Sequence, residues 1–144
     1  MKNIILIVST IIIASTYLSA QESSTENELA IKEVLIKSYV EGIHINRDTV
    51  AVKKGFHENF IMHVYVNGQI VNASLDMWLG RLQLDGIKNT NLIESTFELV
   101  DISGNSAIVR MEILENSKHM YTDYFGLYEF TDGWKIVNKI FYSH

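Results

Sequence analysis

The chain contains neither cysteine nor proline. Without cysteine there is no disulfide, no thiolate metal ligand, no cysteine nucleophile and no lipid carried on a cysteine. Without proline no helix or strand meets a fixed break. Positive charge is also scarce, since 12 Lys and Arg stand against 17 Asp and Glu for a net charge of −5. That sign argues against a nucleic-acid binder, which must neutralise phosphates. No internal repeat and no Gly/Ser-rich linker divides the 144 residues, a length that suits one domain. With 47% apolar and 20% charged residues, the composition is that of a globular core rather than of a disordered chain.

The chain opens with Lys2 as its one early charge, followed by an apolar run, Ile4–Ile13, interrupted only by Ser9 and Thr10, and then by Ser15–Ala20. A basic start, a short apolar stretch and a small residue before a polar segment form a secretory leader, with cleavage expected after Ala20. The apolar run is shorter than the ~20 residues that span a bilayer, so no membrane anchor is expected after cleavage. The domain assignment is therefore a signal segment at 1–20 and a single exported domain at 21–144, periplasmic or secreted, stabilised by its core alone.

In the mature region Thr25 and Glu28 have the spacing of a capping box. Leu29, Ile31, Val34, Leu35, Tyr39 and Ile43 then recur at helical spacing. Asp48 is placed to cap a short second helix that ends at Lys53-Lys54-Gly55. Phe60–Val66 and Gln69–Ala73 flank Asn67-Gly68, a two-residue hairpin signal. Ser74 caps a third helix, Leu75–Leu84, and Asn72-Ala73-Ser74 reads as its turn and cap rather than as a glycosylation site. Beyond it the period changes to two, and turns at Ser103–Asn105, Asn116–Lys118 and Asp132-Gly133 separate four strands. Helices and strands run in separate blocks, α-α-β-β-α-β-β-β-β, which predicts an α+β domain.

This order resembles the nuclear transport factor 2-like superfamily, and so do Gly55-Phe56-His57-Glu58-Asn59-Phe60, Tyr121–Leu127 and Asp132–Lys139. Within the superfamily the chain is most similar to the bacterial group named putative lumazine-binding proteins, with a SnoaL-like character. Asn59 stands where a proline often follows the Phe-His pair. The resemblance spans Leu29 to Tyr142. It implies a cone: three helices of the N-terminal half packed on a strongly curved antiparallel sheet, with a pocket between the layers and frequent homodimers through the outer sheet face. The superfamily includes isomerases, dehydratases, cyclases and plain binding modules, so the fold by itself licenses no reaction.

On strand parity Asp123 shares a face with Tyr121, Phe125 and Leu127, and Asn138 shares one with Trp134 and Ile136. Both are expected in the cone. A carboxylate in such surroundings is costly unless hydrogen-bonded or protonated, and desolvation pushes its pKa toward the range of a general base. His57, at the start of the first strand, is the candidate acid/base partner of Asp123. Tyr39, Phe60, Trp78, Ser95, Tyr121, Phe125 and Asn138 are the expected pocket lining. His63 is expected to face outward, and His44, His119 and His144 to lie at the surface. No two histidines stand at ligand spacing with an acid, so neither a metal nor a cofactor is expected. The outward row Tyr124, Tyr128, Val137 and Phe141 is apolar enough to be covered by a second copy. The expected function is binding of a small apolar or aromatic molecule. A cofactor-free lyase or isomerase using Asp123 and His57 stands as the alternative, and a dimeric interaction protein with a filled cone as the third reading.

Overall fold

The computed structural model describes residues 24–144, and the expected leader at 1–20 lies outside them. The first helix, α1, covers residues 24–45. Thr25 therefore sits within the helix, because residue 24 is already helical. Ile31, Leu35, Tyr39 and Ile43 are buried, as their spacing requires. The regular α-helix stops at Val34, and from Leu35 to Ile45 the backbone is a π-helix with i→i+5 pairing. It ends where Asn46 N–H donates to the Glu41 carbonyl at 2.6 Å.

Helix α2 (Thr49–Gly55) is capped by Asp48, whose carboxylate accepts from the backbone N–H of Val50 and Ala51. Gly55 closes α2 against α1: a Cβ there would lie 2.2 Å from Ser38 Oγ, a contact only glycine avoids. Strands β1 (Phe56–Val66) and β2 (Gln69–Ser74) form the expected hairpin. Asn67 and Gly68 turn it with φ of 50° and 82°, the left-handed pair that a two-residue turn needs. Helix α3 (Leu75–Leu82) starts at Ser74, whose hydroxyl accepts from Met77 N–H. The meander β3 (Ile93–Ser103), β4 (Ser106–Glu115), β5 (Lys118–Phe130) and β6 (Gly133–Ser143) follows.

The six strands form one open sheet in the order β2-β1-β6-β5-β4-β3. Neighbours are antiparallel except β1 and β6, which pair in parallel through Phe56↔Ile136 and Ile61↔Asn138, so the sheet is mixed. The three helices cover one face, and the core between them is built from Tyr39, Phe60, Met111, Phe125, Leu127 and Ile136 among others.

Two irregularities decide which side chains enter that core. Between β5 and β6 the register runs Gly126↔Asn138 and then Leu127↔Ile136, so Val137 is an extra, unpaired residue. Such a bulge reverses the alternation beyond it. Trp134 and Ile136 point inward before the bulge, and Lys139 and Phe141 after it. Between β4 and β5 the register passes from Tyr121↔Ile113 to His119↔Leu114, which leaves Met120 as a second extra residue.

Candidate functional site

Asp123 lies where β5 parity places it, fully buried in the core. Its partners are not the expected ones. Tyr39 donates its hydroxyl hydrogen to Asp123 Oδ2 at 2.6 Å, and Lys139 Nζ donates to Tyr39 Oη at 2.8 Å. Lys139 Nζ also lies 2.8 Å from Asp123 Oδ1, a charge contact that closes a ring of three groups. Asp123 is 0% exposed and Lys139 4%, so the pair is withdrawn from water. Burying two charges costs several kcal/mol per ion before their attraction is counted.

The ammonium is surrounded by aromatic faces: the ring centres of Tyr39, Phe141, Trp78, Phe125 and Tyr121 lie 4.5, 4.9, 5.2, 5.6 and 5.8 Å from Nζ. Such rings offer negative faces that offset part of the lost hydration. Burial still pushes the Lys139 pKa down, with the Asp123 carboxylate pulling the other way. Burial first and the Asp123 charge second raise the Tyr39 hydroxyl well above its usual range, so it stays a donor to Asp123.

His44 completes the arrangement. On an α-helix residue i+5 is turned about 140° from residue i. On the π-helix it comes round beside it, and the His44 ring meets Tyr39 edge-on with centroids 4.9 Å apart. Its Nε2 is buried and has no hydrogen-bond partner among the described residues. Burial, and then the Lys139 charge, lower its pKa from 6.5 to about 4, against a smaller opposing pull from Glu115. At neutral pH it is an uncharged imidazole. His44, Trp78, Tyr121 and Phe141 are each half-buried, and the ring contacts of His44 and Trp78 with Tyr39 and of Tyr121 with His44 and Phe141 join them into a rim beside the buried Tyr39.

The sequence pattern of the family described as putative lumazine-binding matches residues 15–142. The chain belongs to that family. Among solved structures it is similar to a nuclear transport factor 2-like protein of unknown function from Shewanella baltica, with a TM-score of 0.67 and 21% identity over 83% of this chain and 95% of that one. A second such protein, from Silicibacter pomeroyi, matches with a TM-score of 0.69 and 16% identity over 84% and 98% of the two chains. A structure described as a putative aromatic ring hydroxylase from Novosphingobium aromaticivorans matches at 0.58 and 14%, over 83% and 90%. These identities carry the fold alone, and the fold is the nuclear transport factor 2-like one. No curated protein matches the chain in sequence.

In this member of the putative lumazine-binding family the remaining expected residues fall as follows. Tyr39, Phe60 and Phe125 are core side chains with at most 1% exposure, so they fill the cone in this arrangement, while Trp78, Tyr121 and Ser95 are half-buried. Asn138 is not in the cone. The bulge turns it out, where its Oδ1 accepts from Gly126 N–H at 3.0 Å, and Lys139 takes the inward place expected for it. The same reversal turns the Phe141 ring toward Lys139 and Tyr121, so that Phe141 only borders the outer apolar depression, where Ile140 and Tyr142 are the exposed residues of β6.

His57 does not meet Asp123. Its ring stacks on Phe130 at 4.7 Å, and its Nδ1 accepts from Asn59 N–H. Phe130 stands seven residues along β5 from Asp123, roughly 23 Å at strand rise. The expected acid/base pair is therefore not assembled, and both Asp123 oxygens already face cluster partners. His63 is exposed as expected and pairs with Asn72. His44, expected at the surface, is the half-buried rim residue. His119 and His144 do lie toward the surface, but they converge with Glu112 of β4 in a second polar cluster that their separation along the chain conceals.

Proposed function

We propose that the protein is an exported small-molecule-binding domain whose ligand is a planar molecule with polar edges, seated at the rim of His44, Trp78, Tyr121 and Phe141 above Lys139. The observation that carries this reading is the buried His44 Nε2, without a partner among the described residues, beside an ammonium enclosed by rings. A buried polar atom left unpaired costs free energy, and a ligand atom bonded to it removes that cost. Aromatic walls with a few convergent polar groups are the usual make-up of a small-molecule site. The leader-like Met1–Ala20 supports export, which the first residue of the mature protein decides.

The probe that the family's description suggests is lumazine, an aromatic bicycle with carbonyl and ring-nitrogen edges. Titration of the mature protein with lumazine, followed by ligand fluorescence, is expected to saturate at one molecule per chain. His44→Phe keeps the ring and removes the nitrogen, and is expected to weaken binding about tenfold, the loss of one hydrogen bond. Saturable binding unaffected by His44→Phe would place the ligand elsewhere. No saturation by lumazine or by the aromatic dye anilinonaphthalene sulfonate would remove the rim as a site.

The outer sheet face supports a second part of the reading, a homodimer. Tyr65, Ile70, Tyr124, Ile140 and Tyr142, between 40% and 77% exposed, line an apolar depression of about 300 Å³ there. Monomeric surfaces rarely leave such a patch uncovered. Ile140→Glu is expected to convert a dimer to monomer in sedimentation, and a monomeric wild type at high concentration would overturn the dimer.

A further inference from the structure

The cluster on the far face of the sheet takes no part in the rim. Glu112 comes from β4, His119 from the start of β5, and His144 follows β6. Thr122 stands opposite Glu112 in the β4–β5 register. Ordinary alternation would put His119 and Thr122 on opposite faces, being three residues apart. The extra residue Met120 reverses this and brings both to the outer face, a re-aiming of a side chain that bulges commonly serve. His144 is fixed beside them by its backbone N–H, which donates to the Met120 carbonyl at 3.0 Å.

The donor atoms then crowd on one point. One nitrogen from each imidazole and one carboxylate oxygen all lie within 4.8 Å of one another. The two imidazole rings stack with centroids 3.7 Å apart. His119 Nε2 is in close contact with Glu112 Oε2. Thr122 Oγ1 lies 3.0 Å from Glu112 Oε2, 3.0 Å from His144 Nε2 and 3.5 Å from His119 Nε2. Its single hydrogen cannot serve three acceptors. His119 Nε2 also lies 3.2 Å from the Tyr121 carbonyl, which the tautomer protonated there would use. The other tautomer leaves Nε2 with a lone pair free to act as a ligand. The remaining carboxylate oxygen, Glu112 Oε1, is held by Arg110 Nη2 at 2.7 Å, which fixes the orientation in which Oε2 faces the imidazoles.

We propose that Glu112, His119 and His144 bind a divalent transition metal of the zinc class, with Thr122 as the neighbouring polar group and a position left open to solvent. Two imidazoles and one carboxylate suit zinc and its neighbours rather than magnesium or calcium, which take oxygen donors. A tetrahedral ion with bonds of about 2.0–2.2 Å holds its donors roughly 3–3.5 Å apart, within the spread seen here. The ion joins β4, β5 and the residue after β6. It replaces a contact between imidazoles that would repel if both were protonated.

The test uses the full mature chain without a histidine tag. Cobalt(II) is titrated in and followed by its visible absorption, and zinc is then added as competitor. One cobalt per chain, displaced by zinc, is expected. His119→Gln, His144→Gln and Glu112→Gln are each expected to weaken binding by at least tenfold. His63→Gln, an exposed histidine outside the cluster, should bind as the wild type does. Circular dichroism establishes that each variant is folded. No stoichiometric cobalt binding by the folded wild type would mean that the cluster is only an ion pair with a hydroxyl. Binding retained in all three cluster variants would place the metal elsewhere. Either result overturns the proposal.

Discussion

Replacing Asp123 by alanine is expected to lower folding stability by about 3–5 kcal/mol, the cost of leaving one member of a buried ion pair alone. Lys139 would keep its aromatic cage but lose its counter-charge, and Tyr39 would lose the acceptor of its 2.6 Å hydrogen bond. For a domain of this size that corresponds to a fall in Tm of roughly 10–20 °C. The informative companion is the double variant Asp123→Leu with Lys139→Met. With both charges removed and similar volumes kept, its stability is expected to recover much of that loss, the buried Tyr39 hydroxyl left without either partner accounting for the remainder. Thermal and urea denaturation of Asp123→Leu, Lys139→Met and the double variant measure the coupling directly. If the double variant is as unstable as Asp123→Ala, the pair stabilises the fold. If it recovers, a costly pair is being maintained within the core, as a binding site would require.

Acidification is expected to remove about 3 kcal/mol of stability through His44 alone. The sign follows from proton counting. His44 titrates near 6.5 when unfolded and near 4 when folded. Between those values the unfolded chain binds the proton more readily, so stability rises with pH across that window and falls as pH is lowered through it. The penalty is absent above pH 6.5 and complete below pH 4, and the gap between the two values sets its size. Carboxylates held low by their partners, such as Asp85 beside Arg47, also lose stability in acid. The measurement is therefore the difference between wild type and His44→Phe, by urea denaturation at intervals from pH 4 to pH 8. The wild type should lose stability faster than the variant as pH falls. Parallel curves would show that His44 is solvated and free to charge.

Much of the architecture was legible because each element carries its own local signal. Asp48 and Ser74 cap the helices they were expected to cap, Asn67-Gly68 turns its hairpin, and the helix–strand order predicts the α+β fold. Asp123 was legible too, because β5 keeps its alternation from Tyr121 to Leu127. The site around it was not, and the reason is a count of residues rather than their types. Parity across β6 assumes that every residue is paired, and Val137 is not, so Asn138 and Lys139 exchange faces. One sign was present: Lys139 shares its expected outer row with Val137 and Phe141, an odd company for a lysine facing water. Similarly, an α-helical period turns His44 away from Tyr39, whereas the π-helix beginning at Leu35 brings it alongside. The Glu112, His119 and His144 cluster depends on Met120 in the same way, and on three strands that no short motif links.

The position of β6 in the sheet has a consequence for how the chain reaches its native state. The hairpin β1–β2 and the meander β5–β4–β3 touch β6 from opposite sides, so the last strand described is the seam between two otherwise separate pieces. Until it arrives, β1 lacks its parallel neighbour and Tyr39 of α1 lacks the Lys139 ammonium. The contacts that complete the core join distant parts of the chain: Tyr39 and Lys139 are 100 positions apart. Ordering such distant segments costs loop entropy before any contact compensates it, which makes folding slow and cooperative. A fragment that ends before β6 is therefore expected to keep its two pieces apart and to lack a closed core.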